Sequence, residues 1–307
     1  MQFFRWCLIS ISFLLLSSSF PVRALAKTAP ALAVLSQLKG EVKAGPAKKM
    51  TVGFSGKMLW NRYRVRTGKK AGVTIFFNDG SEVRLFGSTE ITIGARKSHN
   101  SRWVRYRLVL RSGSFWGNFV RGKNPVEIAG GGLRLQLSDA SLRFTKKKTG
   151  NNISVSSGIV KVFNKVSSVK LLKGQRLYHV QRTDSLRQKV SSVPNQLRLR
   201  IEPSAPVFSA KEAIKLKLHF QVVRLGTDRT VVNRSGPVLL TSDYYNLSLP
   251  ASIKLNANGE AETSIEVKPP RPDDRTFEGS VTFRAIIDQY GYDDLQGGSF
   301  KVKFRNP

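Results

Sequence analysis

The chain is short of sulfur, histidine and carboxylate, and each shortage removes a class of chemistry. Cys7 is the one cysteine among 307 residues. It lies in a segment expected to be removed, which excludes disulfides, a thiol nucleophile and cysteine-ligated metal from the mature chain. The histidines, His99, His179 and His219, are isolated from one another, and no H-E-x-x-H, G-x-S-x-G or P-loop motif occurs. Gly130-Gly131-Gly132 lacks the Lys-Ser/Thr that phosphate cradling requires and reads as a turn. A glycosidase would need two carboxylates converging within several ångströms. Glu82 and Glu90 are an example of a pair that would have to converge, and the chain is read as a non-enzyme with no cofactor and no metal. Asp288, Asp293 and Asp294, with Asp273-Asp274, form no D-x-D-x-D loop and read as solvated turns before calcium ligands. Long apolar runs are also missing. None approaches 18 residues after the N-terminus, so no transmembrane span is expected in the mature chain.

The first 26 residues read as a cleaved secretory signal. Arg5 is the positive region, residues 7–16 (CLISISFLLL) are the short apolar region, and Ala24-Leu25-Ala26 is the cleavage site. Export to the periplasm or cell surface follows.

Residues 27–185 read as a β domain. In residues 72–86, GVTIFFNDGSEVRLF, Val73, Ile75 and Phe77 share one face before Asp79-Gly80, and Val83 and Leu85 share one after it. Period-2 alternation around Asp-Gly predicts a half-buried hairpin closed by a type I′ turn. A strand–glycine–strand unit recurs around Gly40, Gly113, Gly158 and Gly174, and predicts further hairpins turning at glycines. Residues 29–38 are the one helix candidate.

These motifs resemble a known family. Gly56-Lys57-Met58-Leu59-Trp60, then V-R-T-G at 65–68, F-x-D-G-S at 77–81, L-x-L-x-x-G-x-F at 108–115 and V-x-x-G-x-V-x-V at 155–162 resemble the FecR-like domain over roughly residues 34–180. The resemblance implies a β-rich extracytoplasmic module. The family's best-known members relay signals from an outer-membrane receptor to a cytoplasmic sigma factor through a membrane helix. This sequence is expected to lack both the cytoplasmic N-terminal domain and the internal helix of that plan.

Residues 186–196, containing Pro194, read as a linker, and residues 197–307 as a second all-β domain. Seven alternating strands with turns at Asn258-Gly259 and residues 269–274 predict an Ig-like β-sandwich. Charge divides at the same place. Residues 27–190 hold 33 Lys/Arg against 7 Asp/Glu, whereas residues 191–307 hold 16 against 13. The net charge of +31 therefore sits almost wholly in the first half.

The basic residues are ordered. Arg62, Arg64 and Arg66 alternate with Tyr63 and Val65; Arg105, Arg107 and Arg111 share one strand face opposite Val104, Tyr106, Leu108 and Leu110; Lys146, Lys147 and Lys148 form a cationic run. Alternate side chains project to opposite strand faces, so each row stacks its cations, and guanidinium pairs bidentately with phosphate and carboxylate. The nine form the candidate polyanion site, with Trp60, Trp103 and Trp116 nearby. The expected partner is an anionic envelope polymer (peptidoglycan, lipopolysaccharide or acidic polysaccharide) or an envelope protein. Export argues against nucleic acid. The alternative is an accessory of a FecR-type signalling system acting through protein–protein contacts.

Overall fold

The structure is a computed structural model that describes residues 30–97, 104–122, 125–202, 207–208, 213–225, 227, 229–231, 234–242, 249–250, 252–267, 280–289, 292 and 294–304. The signal segment 1–26 lies outside them. Among the described residues every regular element is a strand except one 3-10 turn, Leu186–Lys189. None of their helices is long and apolar enough to cross a membrane.

Strands from Ala33–Lys39 to Val190–Ser192 join in one 16-stranded hydrogen-bonded network. It is folded into two layers around one apolar core that runs from Leu32 to Leu186. The long strands Val104–Phe119 and Gly150–Phe163 belong to both layers. Residues 104–110 pair with Glu90–Lys97 and residues 113–119 with Ala140–Lys147. Likewise residues 150–158 pair with Ala140–Lys147, and residues 159–163 with Ser168–Leu172.

The strand–glycine–strand units are therefore not hairpins. Gly113 and Gly158 bend continuous strands from one layer into the other. Gly40 and Gly174 link strands that pair in different layers and not with each other. All four glycines have positive φ, between 69° and 84°. A Cβ on Gly113 would stand 2.4 Å from the Thr89 hydroxyl, and one on Gly158 2.0 Å from the Asp139 carbonyl. The corners need both the left-handed backbone and the missing side chain. A buried chain of hydroxyls fastens them. Thr67 Oγ1 donates to Phe86 O (2.6 Å), Thr89 Oγ1 to Ser114 O (2.9 Å), and Ser114 Oγ lies 2.7 Å from Thr145 Oγ1.

The hairpin at 72–86 forms with Val73 opposite Leu85 and Ile75 opposite Val83. Its turn differs from the expected one. Gly80 alone takes positive φ, and Phe77 N–H donates to Ser81 O across a three-residue loop, the geometry of a left-handed glycine following a type I turn. Asp79 Oδ1 accepts from Ser81 N–H (2.9 Å). The helix candidate is likewise corrected: Ala33–Lys39 is a strand between Met58–Leu59 and Gly72–Phe77, with Ala33 and Leu35 buried. Pairing on both edges outweighs alanine's helix propensity.

The expected linker is also folded. Leu186 is buried, Val190–Ser192 pairs with Gln175–Val180, and Asn195–Glu202 is already a strand. Three residues or fewer separate the two networks. The later strands form a four-stranded sheet around Asn195–Glu202 and Ile214–Arg224 and a five-stranded sheet around Ser280–Ile287, packed on a second apolar core. Residues 269–274, one expected turn, lie outside the described residues.

The hairpin is buried on both faces, not one, because strand Ser280–Ile287 and the residues after it cover its polar side. Arg84, 4% exposed, donates Nε and Nη2 to Asp288 Oδ1 and Oδ2 at 2.8 and 2.7 Å. Arg143 donates to Ile287 O (2.6 Å) and Gln289 O (3.0 Å) and stacks 4.3 Å over the Phe86 ring. Phe86, Trp116, Leu239 and Ile286 make a small apolar cluster there. Two of the first half's arginines are thus consumed internally.

Candidate polyanion-binding face

In the second layer the strand order runs 51–52, 42–46, 63–67, 90–97, 104–112, 126–130, 133–137, 159–163 and 168–172. Paired residues share a face. The inward row includes Val65, Ile91, Leu110, Ile128, Leu135 and Val162, all buried. The outward row alternates with it and carries cations on nearly every strand.

Glu90 is the hub at one end. Arg66 Nη2 lies 2.6 Å from its Oε2, Arg64 Nη1 3.5 Å and Arg111 Nε 3.8 Å from its Oε1. Arg111 Nε also donates to Thr92 Oγ1 at 2.8 Å. One carboxylate thus aligns three guanidinium groups and neutralises one of them. Lys146 Nζ donates to Arg111 O (2.6 Å), joining the lysine run to this cluster. Arg107 stands opposite Gly94 on one side and Glu127 on the other. Beyond Glu127 come Gln136 and Lys161, then Lys170; Arg134 lies 4.9 Å over the Phe163 ring. Neighbouring strands are about 4.8 Å apart and same-face residues about 6.6 Å along a strand, so the cations form a two-dimensional array.

Of the residues expected from sequence, Arg64, Arg66, Arg107, Arg111 and Lys146 meet on or beside this face. Arg62 occupies a left-handed turn position (φ 67°) at its rim. Lys147 ends its strand and Lys148 is exposed in the following turn. The Arg105 side chain and Trp103 lie outside the described residues. Trp116 does not flank the face: it is 3% exposed beneath the later strands. Trp60 packs on Tyr63 with centroids 5.4 Å apart. Sequence reasoning missed Lys43, Arg134, Lys161 and Lys170. Each is a lone cation in its strand; the available signal was its position between two apolar residues, both buried in Leu133-Arg134-Leu135.

The carboxylate pair considered for hydrolysis does not converge. Glu90 points outward from the second layer. Glu82 is 4% exposed on the covered side of the first, where burial pushes its carboxyl up to about 7 against the pull of Arg284 and Arg84. Its Oε1 has no hydrogen-bond partner among the described residues. Two of the five carboxylates expected in solvated turns are engaged instead: Asp288 holds Arg84, and Asp294, in a turn, accepts from Arg234 and Asn195. Asp273, Asp274 and Asp293 lie outside the described residues. Among the described residues no group of three ligands is placed to hold a metal. His219 lies between Glu262 (2.7 Å) and Glu202 (3.2 Å) on the outward face of the later four-stranded sheet, and His179 is exposed.

Residues 63–161 match the family model described as FecR protein. No curated protein matches the chain. Among solved structures, two crystal structures of a "putative anti-sigma factor" from Parabacteroides distasonis are similar, at 17% and 16% identity, each with a TM-score of 0.34 over 42% of this chain. The match spans 57% of those proteins' length.

Proposed function

We propose that this chain, which carries a FecR-like domain over residues 63–161, is an exported, non-enzymatic envelope protein that binds an anionic envelope polymer through the outward face of its second layer. The observation that carries the proposal is the convergence of separate basic strands on one face, while the later strands remain near neutral. A surface of one sign raises the local concentration of polyanions and orients them. Guanidinium groups held by Glu90 and Thr92 are preorganised, so less side-chain freedom is lost on binding. The later strands, in the reading of an Ig-like sandwich, act as a rigid spacer or docking module. The test is co-sedimentation of the purified protein with peptidoglycan sacculi at low and high salt. Binding at low salt that weakens as salt rises supports the proposal, because screening shortens the reach of surface charge. No binding at low salt, or binding indifferent to salt, overturns it.

A second reading follows from the family match: an accessory of FecR-type signalling that contacts a protein partner. The observation favouring it is that, among the described residues, Thr51–Val52 and Ser168–Leu172 each pair on one side only, and an open edge can accept a partner's strand. Under this reading, charge reversal on the outward face leaves partner capture intact.

A further inference from the structure

One edge of the same layer ends in an apolar tip. The turn after strand Val42–Pro46 and the loop that follows Thr51–Val52 expose Val52, Phe54 and Met58 at 72, 61 and 55%. The backbone beneath them is fixed. Gly53 N–H donates to Val42 O (2.8 Å), Gly56 N–H to Leu35 O (2.9 Å), Lys57 N–H to Phe54 O (3.1 Å), and Leu35 N–H to Lys57 O (3.0 Å). The loop is tied to both layers, so the apolar side chains are held out in water and are not caught in a passing fluctuation. Gly56, at φ +87°, has nothing within 4 Å of a Cβ position, which puts the turn's apex in open space.

Cations surround this tip. Val52 is the cross-strand partner of Lys43, which is itself ion-paired to Glu41 at 3.0 Å. Lys57 Nζ folds back to Thr51 Oγ1 (2.6 Å) and Val52 O (2.9 Å), 5.6 Å from the Phe54 ring centroid. Lys48 and Lys49 are exposed in the preceding turn. Residues 42–58 contain no carboxylate at all. Exposed apolar side chains beside exposed ammonium groups match the chemistry of an anionic bilayer, acyl chains beneath phosphate headgroups. A protein surface could cover the apolar residues, but it would need its own ring of acids to meet the lysines; an anionic bilayer supplies both layers at once.

We propose that residues 46–58 form a peripheral lipid-docking tip that inserts Val52, Phe54 and Met58 at the acyl–headgroup boundary of an anionic bilayer, with Lys48, Lys49 and Lys57 at the phosphates. The experiment is sedimentation of the purified protein with phosphatidylcholine vesicles, with and without phosphatidylglycerol. The triple change Val52→Ser, Phe54→Ser and Met58→Ser removes side chains that are more than half exposed, and near-ultraviolet circular dichroism verifies the fold. Binding to the phosphatidylglycerol vesicles that falls at least tenfold in this variant, with sacculus binding unchanged, supports the tip. Vesicle binding equal in the two proteins shows that charge alone attracts the bilayer and overturns the proposal. So does absence of vesicle binding. A wild-type dimer that the triple change dissociates also overturns it, because a second copy would then be the occupant. Sacculus binding and vesicle binding are read separately, so the tip can fail while the polymer-binding face stands, and the reverse.

Discussion

Replacing Glu82 by glutamine is expected to stabilise the protein at neutral and alkaline pH and to leave it unchanged in acid. Glu82 lies on strand Glu82–Leu85, opposite Asn118 and Phe76, with its carboxyl sealed beneath the later strands. Burial raises it from 4.5 to about 7, although Arg284 and Arg84 pull it down. Below pH 4.5 both folded and unfolded chains hold the proton, and the site contributes no penalty. As pH rises from 4.5 to 7, the unfolded chain ionises while the folded chain still binds its proton, so stability falls with pH. Above 7 the folded chain also ionises and the loss levels off. The displacement from 4.5 to about 7 corresponds to about 3 kcal/mol. Glutamine keeps the shape and cannot ionise. Urea unfolding of the wild type and Glu82→Gln across this range should give equal midpoints in acid and a gap of that order above neutrality. Parallel stability curves, or a variant weaker than wild type in alkali, would refute the burial argument.

Three other outcomes follow from the same geometry. Asp288→Ala should cost about 3–5 kcal/mol in denaturant unfolding, because it strands the buried Arg84 guanidinium; replacing Arg84 and Asp288 together with apolar residues should cost much less. Gly113→Ala should lower the melting temperature well beyond a surface substitution, since it meets both a positive φ and the Thr89 hydroxyl; an unchanged melting temperature would show that the corner can relax. Glu90→Gln keeps a hydrogen-bond acceptor beside Arg64, Arg66 and Arg111 but removes their shared counter-charge, so sacculus binding should tighten at low salt and become more salt-sensitive.

The sequence made the strands legible but concealed how they are connected. Alternation located the hairpin at 72–86 and the outward Arg107 and Arg111, because a strand's two faces are written at spacing two. The glycine units repeated visibly. Nothing local distinguishes a hairpin from a corner, since both need positive φ; the difference lies in whether the flanking strands pair with each other. The same limit explains Lys161 and Lys170, whose place in the array depends on pairing with Gln136 and with each other across strands. It explains Arg84 and Arg143 as well. They lie at outward positions of strands, and only strands some 140 to 200 residues later turn that outside into an interior. Segment 33–39 misled for a related reason: Ala and Leu favour a helix in isolation, and neighbours on both edges make it a strand.

Salt-dependent binding of the outward face tests the central claim most directly. Sacculus affinity should be measured over a salt series for the wild type, for Arg107→Glu/Arg134→Glu/Lys161→Glu on the face, and for Lys215→Glu/Lys217→Glu on the later four-stranded sheet. The account predicts that the first variant loses most of the affinity and flattens the salt dependence, while the second follows the wild type. Equal losses from both would mean that net charge alone drives binding. Unchanged binding in the first variant would contradict the assignment of the face.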